Sequence, residues 1–161
     1  ITEGFNGIGE NFFQIHNYNK NLKAVYPSFM LKFDTGNFQE LDTGNFQVNY
    51  LKDFFCLKKK QKYCELAAGG FEKKNFKTLT TDDFLNKWMN FKIVISKIIN
   101  EKGSLTIFIN DNKVFDNVVH FPKKGTPRIK YGIYRPGNLE GLEGNNTSQI
   151  LYSKINVNSK K

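Results

Sequence analysis

The sequence predicts an all-β protein built as a sandwich or jelly roll of two antiparallel sheets. Short runs of β-branched and aromatic residues recur along the 161-residue chain, and turn-forming Gly, Asn and Asp separate them. Aromatic residues make up 15% of the chain, with 16 Phe among them, so the material for a buried core is present. This length suits one domain, and we expect a single domain over residues 1–161.

The predicted elements follow in chain order. Residues 91–96 and 105–110 alternate apolar and polar side chains, which is the pattern of half-buried strands. Asn and Asp at 110–112 predict a hairpin turn, and Thr81, followed by Asp82 and Asp83, predicts the capped start of one short helix within residues 80–87. The predicted strands are residues 11–18, 28–34, 46–51, 54–57, 88–99, 105–110, 129–134 and 149–157.

The net charge of +9 predicts an anionic partner. Eight Lys lie between residues 52 and 77, where they form either a binding patch or a solubilising loop. The chain has only two Arg, which argues against nucleic acid because Arg is the usual reader of guanine edges. It also has no run of about 18 apolar residues, so we expect no membrane span.

Two cysteines are too few for a disulfide scaffold. Cys56 and Cys64 could bond across a hairpin in an oxidising compartment, or remain free thiols. The chain starts at Ile1 without a leader, which predicts a processed product, an engineered piece, or a fragment whose front part is missing. The hexapeptide DTGNFQ occurs at 34–39 and 42–47, and we interpret it as a local duplication without a chemical role.

Two segments carry residue types suited to catalysis. In Gln14-Ile15-His16 a strand would place the amide and the imidazole on one face, either as a site or as an ordinary solvent-facing side. In residues 130–135 alternation would group Lys130, Gly132 and Tyr134, and the glycine would leave room for a ligand to approach the backbone. The alternative for this second segment is an ordinary strand. His120, near Pro122, is interpreted as a loop residue.

Together these motifs resemble those of jelly-roll polysaccharide lyases, which include alginate lyases and heparinase-type lyases. The Gln-x-His strand is followed near the C-terminal end by Lys-x-Gly-x-Tyr, and the ending Gly-Ile-Tyr-Arg is similar to the heparinase-type form. Residues 88–95 and 102–114 also resemble segments of these enzymes, so the likeness covers most of residues 10–157.

This resemblance implies a concanavalin A-like jelly roll, secretion to an extracellular or periplasmic location, and a uronic-acid-containing acidic polysaccharide as substrate. It implies that Gln14 and Lys130 neutralise the uronate carboxylate. His16 would be the base and Tyr134 the acid, or Tyr134 would itself be the base. The family usually carries an earlier Arg next to Glu-Leu, which is absent here; Arg128 could supply its charge or be only a strand-edge residue. No cofactor is expected, and Ca²⁺ is possible without a clustered ligand motif to support it.

Other functions stay open at this point. The main alternative is a non-catalytic carbohydrate-binding or structural jelly-roll module, which needs an aromatic platform and no base. A glycoside hydrolase needs two carboxylates, for which Glu40 and Asp42 are the nearest candidates. A nucleic-acid binder would use the Lys-rich segment as its groove. The polymer and the oligomeric state are not predicted.

Overall fold

The computed structural model describes residues 10–18, 27–34, 45–52, 71–121, 126–134 and 150–158. These residues form eight strands and one helical turn. The elements are β1 (Glu10–Tyr18), β2 (Pro27–Asp34), β3 (Asn45–Leu51), β4 (Phe71–Thr80), α1 (Thr81–Phe84), β5 (Phe91–Ile99), β6 (Lys102–Ile109), β7 (Asn112–His120) and β8 (Thr126–Tyr134).

The strands form two antiparallel sheets. A five-stranded sheet has the order β4-β3-β2-β1-β8, and a three-stranded sheet has the order β5-β6-β7. Because β8 pairs with β1, the two segments singled out in the sequence become neighbours in the larger sheet. The predicted all-β sandwich of two antiparallel sheets is confirmed, and the jelly roll is consistent with it.

An aromatic core lies between the sheets. Phe29, Phe33 and Phe46 are fully buried side chains of the larger sheet, and burying each contributes about 1.5–3 kcal/mol relative to exposure. Phe84 of α1 stacks on Phe46 with ring centroids 5.8 Å apart. The smaller sheet contributes aliphatic side chains to the same cluster, namely Leu105, Ile107, Ile109 and Val119.

Two tight turns organise the smaller sheet. Asn110 and Asp111 link β6 to β7, and both have positive φ (48° and 64°), as a type I′ turn requires. Asn100 and Glu101 link β5 to β6 in the same way, with φ of 49° and 67°. The predicted hairpin is therefore confirmed, and its register pairs Ile107 with Phe115.

Tyr50 links the two sheets through its hydroxyl. The hydroxyl donates to Glu72 Oε2 (2.5 Å) and accepts from Asn117 Nδ2 of β7 (2.8 Å). Lys52 Nζ donates to the other carboxylate oxygen of Glu72 at 2.6 Å. Burial, reinforced by the bond to Glu72, raises the pKa of Tyr50 to about 12.

One predicted strand is absent, and the predicted starts of another strand and of the helix are wrong. Residues 150–158 contain no strand, although the sequence predicts one over 149–157. The strand predicted from residue 88 begins at Phe91, after an exposed Trp88. Thr80, rather than Thr81, is the residue that precedes α1, and Asp83 Oδ2 accepts from Thr80 N (2.8 Å) and from Thr80 Oγ1 (3.3 Å), as the third helical residue does in one half of a capping box.

His120 and β4 also differ from the sequence prediction. His120 is the last residue of β7 and only 7% exposed, so it is not a loop residue. β4 covers residues that were expected to be a Lys-rich loop. It lies at the edge of the sheet, where charged residues such as Lys are common in strands. Phe76 supplies its apolar contact with the core, since its ring centroid lies 5.5 Å from that of Phe46.

Candidate functional site

The candidate site is the face of the five-stranded sheet that points away from the core, which we call the polar face. In β2, Phe29, Leu31 and Phe33 point into the core, so the alternate residues belong to the polar face. Strand pairing extends this assignment across the sheet. Its described side chains are Asn11, Gln14, His16, Ser28, Met30, Lys32, Gln47, Asn49, Leu51, Lys73, Arg128 and Lys130.

The pairing of β1 with β8 brings four of the predicted site residues together. Gln14 lies opposite Lys130, and His16 lies opposite Arg128. Side chains at directly opposed positions share a face, with Cβ atoms about 4.5–5.5 Å apart. Gln14 and His16 are half-buried, whereas Arg128 and Lys130 are exposed. An amide, an imidazole and two cations therefore occupy adjoining positions on one surface.

Tyr134 enters this arrangement through an irregularity in both strands. Phe13 pairs with Tyr131, but Asn11 pairs with Tyr134, so three steps along β8 match two along β1. The extra residue is a β-bulge at Gly132, whose φ is +131°. Positions 130 and 134 of β8 pair with Gln14 and Asn11, two polar-face positions of β1, as alternation along β8 predicts.

Gly132 is required by its backbone conformation. A Cβ atom built there would meet nothing within 4 Å, so steric space is not the constraint. A positive φ of this size strains any residue with a side chain. The sequence interpretation explained this glycine by a gap for a ligand. The positive φ is a simpler explanation of why glycine occupies the position.

The polar face carries buried amides that sequence reasoning missed. Asn11, Gln47 and Asn49 are 9%, 3% and 7% exposed, although they point away from the hydrophobic core. The Oδ1 atoms of Asn11 and Asn49 are buried and accept no hydrogen bond from the residues that the structure describes. A buried acceptor without a donor costs about 1–3 kcal/mol, so each such atom needs a reason, such as a bound water, an ion or a functional role.

The signal that could have identified these residues is alternation in β2 and β3. Met30 pairs with Asn49 and Lys32 pairs with Gln47, so the row that starts at Lys130 and Gln14 continues to β3. Gln47 belongs to the second copy of the hexapeptide, to which no chemical role was assigned.

The charge of the polar face is positive in the part that the structure describes. Its described cations are Lys32, Lys73, Arg128 and Lys130, and none of its described side chains is a carboxylate or an aromatic ring. Amides and cations together can bind hydroxyl groups and carboxylates, because both offer N–H donors. His16 adds a group that can accept a proton near neutral pH.

A separate apolar cavity of about 920 Å³ lies behind this site, between the sheets. Ile15 and Ile129 line it from β1 and β8, and Ile93 lines it from β5. Residues 150–158 border its open side, and Tyr152 is the residue there that contacts the larger sheet by hydrogen bonds. The cavity therefore lies on the inner side of β1 and β8, and Gln14 and His16 lie on the outer side of β1.

Some predicted features lie outside the described residues. These are Cys56 and Cys64, the carboxylates Glu40 and Asp42, Arg135, the predicted strand 54–57 and most of the Lys-rich segment. Within the described ranges, no three His, Cys, Asp or Glu side chains are grouped closely enough to hold a metal ion. The same ranges contain no helix of the length and apolarity needed to cross a membrane.

Comparison with known proteins gives one match. No curated protein and no solved structure matches the chain. The model of the family described as "Polysaccharide lyase" matches residues 6–156, which include every strand of both sheets. Its match spans nearly the whole chain, and this protein belongs to the polysaccharide lyase family.

Proposed function

We propose that this protein cleaves a uronic-acid-containing acidic polysaccharide by β-elimination. The observation that carries the proposal is the pairing of Gln14 with Lys130 and of His16 with Arg128 on the polar face. One uronate ring can contact neighbouring positions of this kind simultaneously. The family supports a polysaccharide as substrate, and the positive charge of the face favours an acidic one.

The residues suit each step of the elimination. The Gln14 amide and the Lys130 ammonium group would bind the uronate carboxylate and reduce its charge, which makes the neighbouring C5 proton more acidic. A base takes that proton, its electron pair forms the C4=C5 double bond, and the C4–O4 bond breaks. An acid protonates O4, which leaves with the preceding sugar. Arg128 would add positive charge beside the base.

His16 and Tyr134 are the proposed base and acid, in either assignment. An imidazole with an ordinary pKa near 6.5 accepts a proton at neutral pH. A tyrosine can protonate the leaving oxygen, or can act as the base when a neighbouring cation favours its phenolate form. Added imidazole restores turnover to His16→Ala if His16 is the base, and leaves it unchanged if His16 only orients the substrate.

The alternative of glycoside hydrolysis requires two carboxylates on the two sides of the scissile bond. No described side chain of the polar face is a carboxylate, whereas amides and cations are plentiful there. Elimination needs no such pair, so the described composition of the face favours a lyase.

The experiment is to incubate the protein with alginate, glucuronan and heparin-like chains while near-ultraviolet absorbance is recorded. Elimination creates a conjugated double bond, so absorbance rises with the substrate polymer and stays flat with neutral dextran. We expect His16→Ala and Tyr134→Phe to abolish the rise. Tyr131→Phe is the matched control, since it removes the same hydroxyl from a residue of β8 that pairs with Phe13. Polymer binding without any rise would instead identify a carbohydrate-binding module.

A further inference from the structure

Tyr152 links the two strands of the candidate site at the point where both are irregular. Its hydroxyl donates to Phe12 O of β1 at 2.6 Å and accepts from Gly132 N of β8 at 3.0 Å. The carbonyl and the amide belong to neighbouring strands of one ladder, so a direct bond between them is the usual arrangement. Here one hydroxyl group stands between them and satisfies both.

The two irregularities meet at this hydroxyl. In β1, Phe12 is the extra residue, because Asn11 pairs with Lys32 and Phe13 pairs with the adjacent Leu31. In β8, the extra residue is Gly132. Bulges leave backbone groups without ladder partners. A buried carbonyl or amide left without a partner costs about 1–3 kcal/mol, which the Tyr152 hydroxyl avoids for both strands.

The ring of Tyr152 is held in place by its surroundings. It lies 5.3 Å from the ring of Tyr131, and it is half-buried. Burial raises the pKa of Tyr152, only partly offset by the N–H of Gly132. The hydroxyl therefore remains protonated, and able to donate to Phe12, throughout the neutral and mildly alkaline range.

From this geometry we infer that Tyr152 is a positioning residue, whose hydroxyl sets the spacing between β1 and β8 at the candidate site. The two strands carry Asn11 and Tyr134 on one side of the bulge, and Gln14 and Lys130 on the other. A change in spacing at the bulge moves these pairs relative to each other. Tyr152 lies on the inner side of the sheet and acts through the backbone, without contact to the substrate. The kinetic part of this inference rests on the proposed lyase function.

The test compares Tyr152→Phe with the matched control Tyr131→Phe. Both variants keep the ring and lose one hydroxyl, but no hydrogen bond of the Tyr131 hydroxyl is lost within the described chain. In ¹⁵N-labelled Tyr152→Phe we expect faster hydrogen exchange at the Gly132 amide and shifted amide resonances at Asn11 and Tyr134. Tyr131→Phe leaves these resonances near their wild-type positions.

Kinetics separate positioning from a merely structural role. A misplacement of about 1 Å costs up to about 100-fold in rate, so we expect kcat of Tyr152→Phe to fall about 10- to 100-fold per folded molecule while KM changes little. Unchanged exchange and resonances would overturn the spacing role. Shifted resonances with wild-type kcat would overturn the positioning role and leave a structural one.

The failure of the proposed function would be recognisable on its own. A wild-type protein that releases no unsaturated product from any uronate polymer overturns the lyase assignment and the kinetic expectation with it. The exchange rate at Gly132 and the resonances at Asn11 and Tyr134 do not depend on catalysis. They would still confirm or overturn the spacing role of the Tyr152 hydroxyl.

Discussion

At the scale of single residues, the buried polar groups of this fold differ in whether their hydrogen bonds are satisfied. Tyr50 is buried and its hydroxyl has both a donor and an acceptor partner. Asn49 is equally buried, but its Oδ1 accepts no hydrogen bond within the described part of the chain. The first pattern is what stability requires, since it satisfies a buried group. The second lowers stability and is expected where a ligand completes the bond.

Tyr50→Phe is predicted to destabilise the protein by about 1–2 kcal/mol at neutral pH, because it removes hydrogen bonds to Glu72 and Asn117. The pKa of Tyr50 is raised from 10.0 to about 12 in the folded state. Its stabilising contribution is therefore complete below pH 10 and is lost as the pH rises toward 12.

Two measurements check the Tyr50 prediction. Urea unfolding of the wild type and Tyr50→Phe should differ at pH 7 and converge near pH 12. A tyrosinate absorbance titration should lose its most alkaline step in the variant. Tyr131→Phe is the control, because an exposed hydroxyl contributes little to the free energy of unfolding. A constant difference between pH 7 and pH 12 would contradict the assignment.

Asn49→Leu is predicted to leave the free energy of unfolding unchanged or to raise it, and to weaken polymer binding. Leucine has a similar shape and removes an acceptor that has no donor. Thermal unfolding and isothermal titration with the substrate polymer measure the two effects. Asn117→Leu is the contrast, since its amide bonds to Tyr50 and belongs to the other sheet. It should lower stability and leave binding intact, and the opposite pattern would assign Asn49 to the structure.

At the scale of elements, local patterns predicted most of the described strands but missed β4, and they predicted strand pairing only at the β6–β7 hairpin. The hairpin at Asn110 and Asp111 could be predicted because its turn chemistry lies within four residues. The pairing of β1 with β8 joins segments more than 100 residues apart, and only the resemblance of two motifs connected them. The irregularities at Phe12 and Gly132 could not be predicted, because bulges leave little trace in a sequence beyond the glycine itself.

Residues 150–158 show the limit of strand-forming residue types as a guide to strands. Their β-branched and aromatic residues favour a strand, but no neighbouring strand in the described chain pairs with them, so they have no regular structure. Strand-forming residue types show that the side chains would suit a sheet, but they do not supply a neighbouring strand for hydrogen bonding. Tyr152, which contacts two strands through one hydroxyl, could not be identified from the pattern for the same reason.

Asp111→Gly is predicted to stabilise the β6–β7 hairpin by about 0.5 kcal/mol. The left-handed conformation of Asp111 costs about 1 kcal/mol, and glycine avoids this cost. Against this, glycine adds about 0.5 kcal/mol of entropy to the unfolded chain. Denaturant unfolding measures the change, with Asp111→Ala as the matched control that keeps the strain. Stabilisation by both variants would point to the aspartate charge instead of the backbone.

At the scale of the whole molecule, strand pairing determines where positively charged side chains are grouped. The polar face of the larger sheet carries Lys32, Lys73, Arg128 and Lys130, whereas the outer face of the smaller sheet presents Lys92 against Phe108 (5.3 Å). The net charge alone predicted an acidic partner without giving its location. The fold supplies the location, because strand pairing groups cations as far apart in sequence as Lys32 and Lys130.

Binding of a uronate polymer is predicted to use this grouping across the full width of the larger sheet. Lys73 of β4 pairs with Asn49 and lies four strands away from Lys130 of β8, which at about 4.8 Å per strand gives a face nearly 20 Å wide. Lys73→Gln should weaken binding, whereas Lys92→Gln removes the same charge from the smaller sheet and should have little effect. Raising the salt from 0.1 M to 1 M shortens the screening length from about 10 Å to about 3 Å, so the difference between the variants should shrink. Titrations at the two salt concentrations test this. Equal weakening by both variants would mean that net charge, and not the polar face, attracts the polymer.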